Sequence, residues 1–355
     1  MRNNIELLQK ELTSAADCAI ITSDINRRYL TGMKSSAGTV LVFADAAYLI
    51  IDFRYIEKAK ATATDCEVIL ENSLYNQINE LVAKHNAKTA CIETQSVTYS
   101  QFVNMKEKLS AELSDTSWLS EKLAQLRSIK TIDELEKIKS AQKIAEQSFD
   151  EVLGFIKEGR TEREIALFLD FEMQKRGSQG VSFETITLSG KNTSMPHGVP
   201  GNREVRSGDF VLMDFGAVYD GYHSDMTRTV AVGNVSDEMR KVYDTVLSAQ
   251  LRAISAAKAG IVGKDLDKVA RDVITNAGYG DAFGHSLGHS VGLEIHEVPN
   301  ASPRYEKELS EGVVVTVEPG IYLPEKFGVR IEDMIFITKD GCENLTSTDK
   351  NLIIL

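Results

Sequence analysis

Cysteine is scarce in this 355-residue sequence, and the four present, Cys18, Cys66, Cys91 and Cys342, lie far apart with no CxxC pair. That spacing argues against a disulfide framework and a cysteine zinc site, and it fits a reducing compartment. Long apolar runs are also missing. No stretch of about 18 apolar residues suggests a membrane span, and residues 1–12, MRNNIELLQKEL, lack the apolar centre of a secretory signal. The expected location is therefore the cytoplasm. Nor is there an excess of basic residues: 52 Asp and Glu against 40 Lys and Arg give a net charge of -12. This balance disfavours nucleic acid and anionic membrane surfaces as partners.

What remains is an ordinary globular composition, 43% hydrophobic and 26% charged. The length suggests two domains. In the first part, AYLIIDF (47–53) and TACIE (89–93) read as buried strands, and QINELVAKH (77–85) has helical spacing, with His85 near a helix end. The pattern predicts a small α/β domain over residues 1–122, a linker at 123–130, and a second domain at 131–355.

The second domain repeats itself. Its first half predicts helices at 132–158, opened by a Thr131/Glu134 capping box and ended by Gly159, and at 162–176, opened by Thr161/Glu164. Strand-like runs follow at 209–218 and 222–232. The second half predicts helices at 237–259 after Ser236 and at 264–277 before Gly278, then strands at 312–323 and 328–338. The helix starts at 132 and 237 are 105 residues apart, and the acidic positions 214 and 318 are 104 apart. Element order and offset indicate an αα-ββ duplication about a pseudo-twofold axis.

Four carboxylates interrupt these apolar strands: Asp214 in VLMDFGAV, Asp225 in HSDMTRTVAV, Glu318 in VVVTVEPGIY and Glu332 in GVRIEDMIFI. One of them alone would sit in water or in a salt bridge. Here Asp214 and Asp225 bracket a turn at 219–221, and Glu318 and Glu332 bracket a turn at 324–326, so each hairpin brings two carboxylates together. Four uncompensated carboxylates in a core are prohibitively unfavourable, whereas two divalent cations balance them. Between the hairpins lies GHSLGHSVGLEIHE (284–297), which holds three of the six histidines. One histidine on a metal gives a mixed N/O shell suited to Mn, Co, Fe(II) or Zn.

The chain resembles the Xaa-Pro dipeptidase and aminopeptidase P family, the pita-bread metallopeptidases. The resemblance rests on MDFGAVYDGYHSDMTRT (213–229), HSLGHSVGLEIHE (285–297), TVEPGIY (316–322), GVRIED (328–333), SGKNTSMPHG (189–198) and DFRY (52–55). It implies an α+β fold: a C-terminal pita-bread domain with pseudo-twofold αα-ββ duplication, preceded by a smaller α/β domain of creatinase/prolidase type. By resemblance the metal ligands are Asp214, Asp225, His289, Glu318 and Glu332, with Asp225 and Glu332 as bridges. The cofactor would be two divalent ions, Mn(II) or Co(II), with Zn(II) or Fe(II) as further candidates.

The resemblance also assigns catalytic roles. Glu318 takes a proton from the attacking water, His296 bonds the substrate carbonyl or the oxyanion, and His197 steadies substrate or relays a proton to the leaving proline nitrogen. Arg330 orients a carboxylate or contacts substrate, and Thr227 bonds behind the ligands. His285 is a pocket-wall residue or a hydrogen-bonded core histidine. His223, beside Asp225, points to the opposite face. The implied partner is a small peptide with proline in second place, cleaved by a homodimer. Aminopeptidase P activity on longer peptides, hydrolysis of another small amide, and a non-catalytic peptide-binding module are the alternatives.

Overall fold

Six short strands of the first unit form one mixed sheet in the order Glu67–Leu70, Ala47–Ile51, Thr39–Phe43, Cys18–Ile21, Thr89–Ile92, Glu112–Ser114. The computed structural model describes residues 3–355, and the chain divides into two units after Arg127. Ala47–Ile51 is buried along its whole length, as an apolar run flanked by two strands should be. The helical stretch near 77–85 belongs to Leu74–Lys84, and His85 caps its end through an N–H bond to the Leu81 carbonyl. The His85 ring stacks on Phe43 and bonds the Tyr48 hydroxyl at 2.8 Å, so it serves the core of this unit.

The linker expected at 123–130 is helical as far as Ser128. Helix Trp118–Ser128 buries Leu119 and Leu123, spaced one turn apart, and its charged remainder conceals that apolar stripe in the sequence.

In the second unit both capping boxes form: Thr131 and Glu134 open helix Ile132–Phe155, and Thr161 and Glu164 open Glu162–Lys175. The first of these helices ends before the expected 158, because Ile156 turns extended, and Gly159 (φ 85) follows it rather than closing it. Ser236 caps Asp237–Ala256, and Gly263–Asn276 completes the second helix pair. Each pair packs its apolar face on its own hairpin. Phe149, Leu169 and Met173 lie against Phe215, and Val242, Val246 and Leu266 lie against Val315 and Ile335.

The two hairpins share a construction. In the first, Asp209–Phe215 pairs with Met226–Val232, then a separate ribbon of Val218–Tyr219 and Tyr222–His223 forms the tip. In the second, Val314–Val317 pairs with Asp333–Ile337, and the tip is Gly320–Leu323 against Phe327–Arg330. The ladder is broken between base and tip in both. At Gly216 a Cβ would stand 1.9 Å from the Ser224 carbonyl oxygen, so only glycine permits the crossing of strands at this break. The hairpins lie side by side: the Glu332 N–H donates to the Thr227 carbonyl at 3.1 Å, and the Thr229 hydroxyl donates to the Arg330 carbonyl at 2.9 Å.

Candidate metal centre

The breaks in the ladders are where the carboxylates stand. Asp225 precedes Met226, Glu318 follows Val317 and Glu332 precedes Asp333, each just outside a paired strand. Asp214 lies within its strand, opposite Thr227. The three outside the ladders are freed from strict alternation, and with Asp214 they turn into one space. Ligand atoms of Asp225, His289 and Glu332 all lie within 4.8 Å of one another. His289 Nε2 is 3.5 Å from Asp225 Oδ2 and 3.6 Å from Glu318 Oε1. The strand Gly288–Ser290 presents that histidine, lying against Val314–Val317 so closely that a Cβ on Gly288 would meet the Thr316 carbonyl at 2.0 Å.

One cation stands among the four acids. Arg330 donates to Asp214 Oδ2 at 2.6 Å, to the Thr227 hydroxyl at 3.0 Å and to the Tyr322 hydroxyl at 2.9 Å. The Thr227 hydroxyl in turn donates to Glu332 Oε2 at 2.7 Å, and the Thr316 hydroxyl donates to Glu318 Oε1 at 3.1 Å. Arg330 thus bonds Asp214, and Thr227 joins it to Glu332. A single guanidinium does not balance four acids. Burial, then the charges of Glu332, Asp214 and Glu318, hold the Asp225 carboxyl well above its ordinary range. Burial likewise raises Glu332 well above its range, and it pushes Glu318 up to about 8. Asp214 Oδ1 and Asp225 Oδ1 are buried and have no hydrogen-bond partner. Unused carboxylate lone pairs, excess negative charge and an inward-facing imidazole are the donor set of a divalent-cation site.

A pH dependence follows. Between the ordinary glutamate value of 4.5 and about 8, the folded metal-free protein holds a proton on Glu318 that the unfolded chain has lost. This group's contribution to stability falls as pH rises through the window, while the lowered pKa values of buried His285 and His289 act in the opposite sense below about 6.5. Melting of chelator-treated protein should therefore shift downward from about pH 6.5 to about pH 8. Mn(II)-loaded protein should lack this decline, because cations replace the protons.

The histidines separate by their partners. His289 Nδ1 bonds the Ser290 carbonyl at 3.2 Å, so Nδ1 carries the proton and the Nε2 lone pair faces the space the carboxylates surround. Burial, with His296 nearby, lowers its pKa to about 4. His296 packs edge-on against His289 with ring centroids 4.4 Å apart. His285 has both nitrogens engaged: Nδ1 donates to the Ser286 carbonyl at 2.8 Å, and Nε2 meets the Tyr322 hydroxyl at 2.9 Å. It backs Arg330 through Tyr322 and does not face the carboxylates with a free nitrogen. His197 stands on an exposed loop at the rim, and His223 turns away to bond Ser182 at 3.0 Å.

A cleft of about 610 Å³ opens above the acids, with Phe183, Ile186, Val199 and Ile295 on its walls and His197, His285, His289 and His296 along its lining. Sequence reasoning assigned no role to Tyr322, whose hydroxyl joins Arg330 to His285. It also missed the pair of Lys130 and Glu297. Their charged atoms are 2.8 Å apart, and Glu297 also accepts the backbone N–H groups of Leu293 and Glu294, shaping the turn that presents His296.

Residues 136–339 match metallopeptidase family M24, and residues 5–129 match the creatinase/prolidase N-terminal domain. A solved Xaa-Pro dipeptidase from Bacillus anthracis is 42% identical, with a TM-score of 0.96 and 99% of each chain covered. An Xaa-Pro dipeptidase of Pyrococcus furiosus is 38% identical over 355 residues, covering 99% of this chain and 100% of its own. A solved X-Pro aminopeptidase from Thermotoga maritima is 38% identical, with a TM-score of 0.90, covering 98% of this chain and 99% of that one.

Proposed function

Because the chain belongs to metallopeptidase family M24 and carries a creatinase/prolidase N-terminal domain, we propose that it is a metal-dependent Xaa-Pro dipeptidase. The observation that carries the reading is the convergence of Asp214, Asp225, Glu318 and Glu332 with the Nε2 of His289, two carboxylate oxygens of the set being buried without partners. Asp214, Asp225, His289, Glu318 and Glu332 would hold the two ions, His289 Nε2 lying 3.6 Å from Glu318 Oε1. Mn(II) or Co(II) suits this oxygen-rich shell with one imidazole, with Zn(II) or Fe(II) next. Bound there, the ions supply charge balance and Lewis acidity toward the scissile carbonyl and the attacking water.

The protein's own groups do the rest. Glu318 accepts a proton from the attacking water at a carboxylate oxygen and passes it on. The proline nitrogen is an imide nitrogen and needs protonation as its bond to the carbonyl breaks. His197, on the rim, steadies the substrate or relays that proton. His296, edge-on to His289, bonds the carbonyl oxygen and strengthens that bond as negative charge develops. Arg330, held by Asp214, Thr227 and Tyr322, keeps the acids in place. The complete donor set disfavours a non-catalytic binding module, which needs no such concentration of charge.

A second reading, an aminopeptidase acting on longer Xaa-Pro peptides, is favoured by the likeness to the Thermotoga maritima X-Pro aminopeptidase. Incubation with Ala-Pro and Ala-Pro-Ala after Mn(II) or Co(II) loading separates the two. The expected result is cleavage of Ala-Pro alone. Cleavage of the tripeptide supports the aminopeptidase, and two uncut peptides with metal bound would refute the Xaa-Pro assignment. The four cysteines are free, which fits the proposed setting, a reducing cytoplasm. Among the described residues no helix is long and apolar enough to cross a membrane. A homodimer completes the proposal, by resemblance to the family.

A further inference from the structure

The loop that carries His197 is held at both ends by one buried carboxylate that belongs to neither the metal set nor the cleft. Glu162, the first residue of helix Glu162–Lys175, is 0% exposed. Its Oε1 accepts the Ser189 N–H at 2.7 Å, the Ser189 hydroxyl at 3.0 Å and the Asn192 side-chain amide at 2.9 Å. Its Oε2 accepts the Gly201 N–H at 3.0 Å. One oxygen thus grips the chain where it enters the loop, and the other grips it where it leaves. Between these grips Thr193 is fully buried and its hydroxyl accepts the Gly328 N–H at 2.7 Å, whereas the Met195 and Gly198 N–H groups turn the chain on itself. Past Thr193, Met195 is 47% and Val199 is 80% exposed, so packing does little to hold the stretch around His197.

A buried carboxylate tolerates desolvation only when its lone pairs are filled by donors, and these four donors, with the positive end of the helix, do that. Arg203 adds its charge indirectly, donating to the same Ser189 hydroxyl at 2.6 Å while pairing with Asp209. Glu162 lies outside the cleft lining, whereas His197 is part of it. We propose that Glu162 is a positioning residue, a staple that sets His197 over the cleft. The catalytic part of this inference rests on the Xaa-Pro peptidase reading.

Glu162→Gln tests it, because an amide has one acceptor oxygen and turns N–H toward a donor at one of the two ends. In Mn(II)-loaded full-length protein, hydrogen exchange across 190–203 should quicken by roughly ten-fold or more, since losing a charge-assisted bond costs about 1.5–3 kcal/mol. Exchange in the two hairpins and the metal content should not change. In Ala-Pro hydrolysis the variant should lower kcat about ten-fold in the native background and less than about two-fold when His197 is already alanine, the non-additivity of residues that act as one. Unchanged exchange in the loop, or equal losses in both backgrounds, would overturn the proposal. Asn192→Ala removes a single bond at a half-buried site. It carries the same test at smaller amplitude should Glu162→Gln not fold. The exchange arm uses no substrate, so it stands apart from any failure of the Xaa-Pro assignment.

Discussion

His289→Ala should remove metal and activity together, whereas His296→Ala should leave the metal in place and lower kcat. The Nδ1 bond to Ser290 aims His289 Nε2 at Asp225 and Glu318. Its loss deletes the single nitrogen donor of the set. Even partners behind a ligand are worth about 10–100-fold in metal affinity, so removal of the ligand itself should exceed that. His296 touches the ring of His289 and lines the cleft, where a substrate carbonyl would lie. Its truncation should resemble loss of an oxyanion donor, about 10²–10³-fold in kcat. Metal analysis beside steady-state kinetics decides the matter. Metal loss on His296→Ala would contradict the division of roles.

Arg330→Met should strongly destabilise the metal-free protein. The guanidinium is almost wholly buried and touches Asp214, Thr227 and Tyr322. Without it, Asp214 is left among three other acids with no cation. Breaking a buried pair from one side costs roughly 3–5 kcal/mol, far more than such a pair contributes when compared with an apolar replacement. Lysine would not rescue it, since one ammonium does not reproduce a planar fork that meets three partners. Metal ions supply positive charge to the same acids. Urea denaturation should therefore show a large drop in midpoint without metal and a smaller one with Mn(II). Equal losses in both states would mean that Arg330 acts by packing alone.

The parts of this site that were legible in the sequence were those that break a local rule. Asp214, Asp225, Glu318 and Glu332 stand out because charge is rare within apolar strands, and turns at fixed distances imply pairing across a hairpin. Capping boxes at Thr131 and Thr161 mark helix starts because the donors they satisfy lie within one turn. The three clustered histidines were different. Spacing does not tell a ligand from its neighbour, and only the family resemblance singled out His289. What separates them is where the second ring nitrogen goes: His289 spends one nitrogen on a carbonyl, and His285 spends both.

Other features were hidden by distance or by an innocent appearance. Lys130 and Glu297 meet across 167 residues of sequence. Glu162 looks like any acidic residue that complements a helix N-terminus, and nothing local reveals that it grips a loop beginning 27 residues later. Helix Trp118–Ser128 read as linker because Leu119 and Leu123 carry its apolar stripe amid charge. The interrupted ladders, which turn the acids inward, depend on contacts such as Gly216 against Ser224 that appear only once the hairpin has folded.

The central claim is that four carboxylates and His289 form a two-cation site. Calorimetric titration of the metal-stripped protein with Mn(II) tests it most directly. The account predicts saturation at about two ions per chain, with protons released as carboxyls raised by burial and mutual repulsion give way to metal. No binding, or binding that Asp225→Asn leaves unchanged, would contradict it.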